Sequence, residues 1–306
     1  MRLLIVDGHY YAYRSYFAIQ GLRNSAGKAT NALFGFTKAI QRMLQELSPD
    51  YRLVIWDGGL SAERVALISQ YKAQRAEMPD SLREQMDDLV ELSKAFGFAS
   101  LCLDGVEADD LIASYAKAAS KEKIQTIIAT NDKDLFQLVS EDVFIYSPKK
   151  EGFSLLGTKE VIEKWGVPPE SLGLVFALIG DASDNIPGVP GVGPKTAAAW
   201  VREYKTLENI DQHLMHIGTE TQRSSLAAAW EQVKKNYLMV QLYSTIPLPL
   251  KWSELQPDLD HEKLTKLFTE WEFNTLKLQA LPAENKLEKA RAPKIKDPQR
   301  LFDFKD

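Results

Sequence analysis

The chain predicts an α/β fold, a mostly parallel sheet flanked by helices, followed by an α-helical second half. Three observations carry this. Short apolar runs suited to buried strands stand at Arg2–Val6, Leu53–Trp56 and Gln125–Thr130. Apolar residues at helical spacing fill much of the chain between them, over Thr30–Leu47, Ser81–Phe96 and Asp109–Ser120. Alternating strands and helices make a parallel sheet covered on both faces, whose site lies beyond the carboxyl ends of the strands. Each of the three strand runs leads to a carboxylate there: Asp7, Asp57 and Asp132.

The elements follow in order. The first strand stops at Asp7-Gly8. The next helix carries Leu33, Phe36, Ile40, Leu44 and Leu47 on one face, with Pro49 as its stop. Between Gly58 and Asp80 the pattern weakens, and Arg64, Tyr71, Lys72 and Arg75 fall among Ser69, Gln70 and Gln74. A mobile loop or lid and an exposed helix with scattered charges both fit that composition. Glu107, Asp109 and Asp110 then crowd the start of an alanine-rich helix. Like charges so close repel, and free N–H groups at a helix start relieve part of this. Alone, the cluster is a solvated acidic cap. Beside the strand-end acids, and with Asp132 and Asp134 after the third strand, it suggests oxygen ligands for hard divalent cations.

Beyond Ser147 a turn-rich connection begins at Pro148-Lys149-Lys150. Helices are expected over Val161–Trp165, Leu172–Ile179 and Thr196–Tyr204, with no strong strand between them. Gly180-Asp181-Ala182-Ser183-Asp184-Asn185 adds Asp181 and Asp184. In the stretch that follows, Pro194 separates Gly193 from Lys195, which breaks the spacing of a phosphate-binding P-loop. The alternatives are a plain inter-helix turn and a tight Gly191-Val192-Gly193 hairpin opening a helix. In the second case free N–H groups beside Lys195 and Thr196 can hold a DNA phosphate. Helices over Glu220–Tyr243 and His261–Phe268 serve packing, and Trp200, Trp230, Trp252 and Trp271 are core or helix contacts. His9, His213, His216 and His261 show no metal spacing and are given no role. After Pro282 comes a lysine-rich tail with Pro293 and Pro298, expected to be flexible.

Composition narrows the function. At 306 residues and 45% hydrophobic content the chain can bury a core. The single cysteine, Cys102, excludes an intramolecular disulfide framework or a cysteine zinc site and favours a reducing, cytoplasmic setting. The opening apolar run is broken by Asp7, too short for a signal peptide. No apolar run reaches the about 18 residues of a membrane span. The net charge of −5 becomes +4 once nine carboxylates are set aside: Asp7, Asp57, Glu107, Asp109, Asp110, Asp132, Asp134, Asp181 and Asp184. A chain acidic at one spot and basic elsewhere suits a protein that grips a phosphate backbone.

In this order the motifs resemble the 5′-nuclease (flap endonuclease) family, and among its members the 5′→3′ exonuclease domain of bacterial DNA polymerase I. They are Leu4-Ile5-Val6-Asp7-Gly8 with Tyr13-Arg14, Asp57 with Arg64, and Tyr71-Lys72-Ala73-Gln74-Arg75. Gly105 to Asp110, Thr130 to Leu135 and Gly180 to Val189 follow. Each is weak alone; the ordered set, over about residues 1–280, is specific.

The resemblance implies a PIN-like catalytic domain over 1–165 with a helical arch at about 58–96. It also implies a helix–hairpin–helix-type DNA-binding domain over 166–281, and leaves 282–306 as a basic tail. Asp7, Asp57, Glu107, Asp109 and Asp110 would serve a first metal site, directly or through waters, and Asp132, Asp134, Asp181 and Asp184 a second. The ions would be two or more Mg²⁺, with Mn²⁺ able to substitute. Arg14, Tyr71, Lys72 and Arg75 would stand near the scissile phosphate. Gly191, Gly193, Lys195 and Thr196 would hold the duplex, with K⁺ on backbone carbonyls.

The implied activity is hydrolysis of DNA at 5′ flaps, nicks and gaps, RNA–DNA primers included, in replication and repair. The implied protein is a stand-alone monomer of the bacterial or phage cytoplasm, associated with the nucleoid and not with a membrane. Gln299 to Phe304 resembles bacterial sliding-clamp-binding peptides. Rival readings are a PIN-type ribonuclease, a catalytically silent binder of branched DNA, and a dehalogenase-type phosphatase. The last wants D-x-D at the first strand end, where His9 occupies the third position.

Overall fold

The computed structural model describes residues 1–274 and 276. In chain order the elements are β1 (Arg2–Asp7), α1 (Gly8–Ala18), α2 (Asn31–Leu47), β2 (Tyr51–Trp56), α3 (Ala62–Leu67), α4 (Asp80–Arg83), α5 (Met86–Ala95) and β3 (Ala99–Cys102). There follow α6 (Ala108–Lys121), β4 (Gln125–Ala129), β5 (Val143–Pro148), β6 (Phe153–Leu156) and α7 (Thr158–Trp165). The helical half holds α8 (Leu172–Ile179), α9 (Pro194–Tyr204), α10 (Leu207–Gln212), α11 (Glu220–Val240) and α12 (His261–Glu270).

The strands form one sheet in the order β3-β2-β1-β4-β5-β6, parallel except for the edge strand β6. Central β1 is buried on both faces because successive side chains point opposite ways. Leu3 and Ile5 pack with Leu111, Ile112 and Tyr115 of α6. Leu4 and Val6 pack with Leu33, Phe36 and Ile40 of α2. The order reverses at β1, so a crevice opens above the carboxyl ends of β1 and β4.

Three strands differ from the sequence expectation. β3, β5 and β6 are absent from it, and the turn-rich stretch expected from Pro148 is the tight turn that joins β5 to β6 as a hairpin. α11 ends at Val240, three residues before the expected Tyr243. The helical half packs Phe176 of α8 with Trp200 of α9 and Trp230 of α11 in the same core. Trp200, Trp230 and Trp271 are buried, and Trp252 packs on Tyr51 and Tyr115. α12 returns to the first half, where Leu264, Leu267 and Phe268 join the core around α5. The tail from 282, with the clamp-type peptide, lies outside the described residues.

Candidate metal centre

The crevice is an acidic cavity of about 450 Å³. Asp7, Asp57, Glu107, Asp109 and Asp132 line it, with His9, Lys72 and Arg75. Each acid is aimed by its local backbone. Asp7 ends β1 and caps α1, accepting from Tyr10 N–H at 3.0 Å and from the Thr130 hydroxyl at 2.9 Å. Asp57 follows β2, and its N–H donates to His9 Nδ1 at 3.0 Å. Gly58 must follow it, since a Cβ there would stand 1.8 Å from the Leu103 carbonyl oxygen. That close approach ties the Asp57 turn to the turn leading into Glu107, through Gly58 N–H to Val106 O (3.1 Å) and Gly105 N–H to Gly58 O (2.8 Å).

A second acidic cavity adjoins the first. Asp132, Asp134, Asp181 and Asp184 line it with Lys133, Ser183 and Arg75, so Asp132 and Arg75 border both. Carboxylate oxygens of Asp134, Asp181 and Asp184 lie within 4.8 Å of one another. Gly180, at φ +71°, sets the turn that presents Asp181 and Asp184; a Cβ there would lie 2.3 Å from Gly188 N.

The electrostatics are those of a cation site. Burial pushes Asp7 up to about 6, and the charges of Asp132 and Asp57 add to it. Burial and the neighbouring Asp132 push Asp134 up to about 7. Asp109 rises well above the ordinary carboxylate range through burial, Asp132 and Asp7. Burial raises Asp184 too, against the pull of Lys72 and Arg75. Burial alone would raise Glu107, but Lys72 and Arg64 outweigh it and hold its carboxyl low. The buried Asp57 Oδ1 and Asp134 Oδ1 have no hydrogen-bond partner. An all-carboxylate donor set with orphaned oxygens and mutual repulsion fits hard divalent cations.

The segment expected as a lid lies over these acids. After α3 it runs in turns, with Lys72 in the left-handed region at φ +55°. Tyr71 is buried and its hydroxyl donates to Glu107 at 3.0 Å. Lys72 pairs with Glu107, and Arg75 with Asp184 at 2.5 Å. The segment is latched to the Asp181 turn by Lys72 N–H to Asp184 O (3.1 Å) and Asn185 Nδ2 to Gln70 O (2.9 Å). Protein cations thus occupy the partners that metal ions would take.

Two expected site residues lie elsewhere. Asp110 lines neither cavity and is bound by Arg64 at 2.7 and 2.8 Å. One step along a helix turns a side chain by roughly 100°, so adjacent Asp109 and Asp110 cannot share a face. Arg14 lines a different cavity of about 400 Å³ with Tyr11, Ser15, Lys38 and Arg42, where its guanidinium sits 5.6 Å from the Tyr11 ring centre. Conversely, His9, to which the sequence assigns no role, stands in the acidic cavity; its partner is a backbone amide 48 residues away, which no local pattern signals. Gly191 (φ +76°) and Gly193 precede α9, which starts at Pro194. A Cβ on either glycine would meet nothing within 4 Å, and Lys195 is exposed beside them, so this turn presents open backbone to solvent.

Comparison with known proteins agrees with this geometry. Residues 2–166 match the family model described as 5′-3′ exonuclease, N-terminal resolvase-like domain. Residues 167–263 match 5′-3′ exonuclease, C-terminal SAM fold. The chain is 36% identical to a 5′-3′ exonuclease of Aquifex aeolicus, over 90% of this chain and 93% of that protein. It is 38% identical to the thermostable DNA polymerase I of Thermus thermophilus over 90% of its own length, and spans 32% of that polymerase. Among solved structures, T5 D15 protein co-crystallised with metal ions superposes with a TM-score of 0.68 at 23% identity, covering 88% of this chain and 99% of that one. The catalytic core of Rad2 in complex with a DNA substrate gives 0.60 at 16% identity, covering 88% and 86%. These two show the shared fold. By its domain models and its similarity to the Aquifex protein along nearly the whole length of both, the chain belongs to the 5′-3′ exonuclease family.

Proposed function

We propose that the protein hydrolyses phosphodiester bonds near the 5′ ends of branched, nicked or gapped DNA, RNA–DNA primers included, with Mg²⁺ as its working ion and Mn²⁺ as a substitute. One observation carries this: two acidic cavities share Asp132 and lie beneath one cationic segment. Asp7, Asp57, Glu107 and Asp109 would hold one ion, Asp134, Asp181 and Asp184 another, with Asp132 between them. Ions bound there would supply a nucleophilic water at neutral pH and would neutralise the phosphate. Lys72 and Arg75 then present their charge to phosphate oxygens, with Tyr71 holding Glu107 in place. Arg14, across α1 from the acids, contacts a phosphate away from the scissile one.

The Gly191–Thr196 turn would hold a duplex phosphate at the start of α9, with K⁺ on its carbonyls. We place the catalytic unit at 1–165, with its arch at about 58–96, and the DNA-gripping unit at 166–281. The protein would act as a monomer at the nucleoid of a bacterium or in a phage-infected cell, with residues 299–304 reaching a sliding clamp. No helix of the described residues is long and apolar enough to cross a membrane.

The test is a gel assay with 5′-labelled flap, nicked and gapped DNA and single-stranded RNA in Mg²⁺. Cleavage at the flap junction that stops in EDTA is expected. Preference for the RNA would favour the ribonuclease reading, and binding without cutting the silent binder.

A further inference from the structure

Arg64 is 3% exposed, and its guanidinium makes four hydrogen bonds and one further ion-pair contact inside the protein. Nη1 reaches Asp110 Oδ2 at 2.7 Å and Glu107 Oε1 at 3.1 Å. Nη2 reaches Asp110 Oδ1 at 2.8 Å and the Gln241 carbonyl at 2.8 Å. Nε reaches the Met239 carbonyl at 3.1 Å. The Tyr243 ring covers the guanidinium at 4.8 Å, and Tyr243 N–H donates to Asp110 at 2.9 Å.

Three parts of the molecule meet at this one side chain. The first is α3, at the root of the segment that bears Lys72 and Arg75. The second is the start of α6, which carries Glu107 and Asp109. The third is the carboxyl end of α11, whose last carbonyls lack helical partners and carry the negative end of its dipole. A buried cation there satisfies orphan carbonyls and two carboxylates together. A two-armed bond to Asp110 also needs the planar fork of arginine; a lysine supplies charge without it. Ser61, which caps α3 against Arg64 N–H, donates its own N–H to Glu107 at 3.2 Å, so the same joint holds Glu107 from two sides.

We propose that Arg64 is a positioning residue: it touches neither ion nor DNA, but sets Glu107 at the cavity wall and locks the helical half to it, with Asp110 as its anchor. The assignment rests on the nuclease reading for its consequence in catalysis, and on geometry alone for its consequence in ion binding.

The test uses the full chain with Arg64→Met, Arg64→Lys and the double variant Arg64→Met/Asp110→Asn. Ca²⁺ binding is measured by titration calorimetry, flap affinity in Ca²⁺ by anisotropy, and single-turnover cleavage in Mg²⁺. Arg64→Met should weaken Ca²⁺ binding by 10-fold or more and slow cleavage at least as much, within the 10–100-fold range for groups that orient metal ligands. Flap affinity should change less than about 3-fold, since the Arg64 side chain is buried away from any phosphate. Arg64→Lys should recover part of the ion affinity. The double variant removes the orphaned buried carboxylate, so it should recover thermal stability without recovering ion affinity; it also replaces Arg64→Met should that variant not fold. Loss of flap affinity with unchanged Ca²⁺ binding would overturn the proposal and make Arg64 a DNA contact. Loss of stability alone, with ion binding and cleavage intact, would also overturn it. If the wild type cuts no flap, the function proposed above fails while the calorimetric arm still decides the role of Arg64.

Discussion

Ion-free protein should lose stability as pH rises, and Asp7 gives the cleanest measure of it. Burial raises its pKa from 3.8 to about 6, so the folded chain holds this proton more tightly than the unfolded chain does. Such a group stabilises the fold fully below its unfolded value, and the contribution is lost as pH climbs through the folded value. The window therefore runs from about pH 4 to about pH 6 to 7. A shift of roughly two units is worth about 3 kcal/mol. At the usual unfolding entropy per residue, that moves the Tm of a chain this long by about 5 °C.

Calorimetry in EDTA between pH 4 and pH 8 should compare the wild type with Asp7→Asn, which keeps the acceptor that caps α1 but cannot ionise. His9 titrates with the opposite sign, because burial lowers its pKa, and it largely cancels in the difference. The wild type should fall by about 5 °C more than the variant, and saturating Mg²⁺ should abolish that extra fall. Parallel curves in EDTA would refute the argument that the acids are held together against their own repulsion.

Other consequences are open to measurement. Asp132→Ala, at the wall between the cavities, and Asp184→Ala should each cut single-turnover flap cleavage by roughly 100-fold or more, while DNA binding in Ca²⁺ stays measurable. Lys72→Ala should slow the single-turnover rate by about 100-fold with flap affinity within a few-fold; an equal loss in both would make Lys72 a general DNA contact. Gly180→Ala puts a Cβ against the Gly188 backbone at a positive φ. It should cost roughly 2 to 4 kcal/mol in urea unfolding and disturb the Asp181–Asp184 turn, seen as weakened Ca²⁺ binding in calorimetry.

Much of this site was legible because polar residues at the end of an apolar run are conspicuous. Asp7, Asp57 and Asp132 announce themselves in that way, and the parallel sheet brings them together. β3 stayed hidden because Ala99-Ser100-Leu101-Cys102 is short and only Leu101 is buried, so it has no apolar run to show. At the other edge β6 is half-buried throughout, and β5 does carry an apolar run, Val143–Tyr146, but one too short for its pattern alone to tell strand from helix. Asp109 lines the cavity and its neighbour Asp110 does not; a sequence shows neighbours and not the helical turn that separates them. Composition left Arg64 between a lid and an exposed helix because its partners lie at Asp110, Met239 and Gln241, and only the folded chain assembles that joint. α11 stops at Val240 where the carbonyls and amides beyond it are taken by Arg64 and Asp110, a boundary fixed by tertiary contacts and not by propensity.

The central claim is that distant carboxylates make two adjoining cation sites, and anomalous diffraction from crystals grown with Mn²⁺ tests it most directly. Two peaks are predicted, one among Asp134, Asp181 and Asp184, the other against Asp7, Glu107 and Asp109, with Lys72 and Arg75 withdrawn from their carboxylates. Crystals saturated with Mn²⁺ that show no peak in either cavity, with both ion pairs intact, would contradict the account.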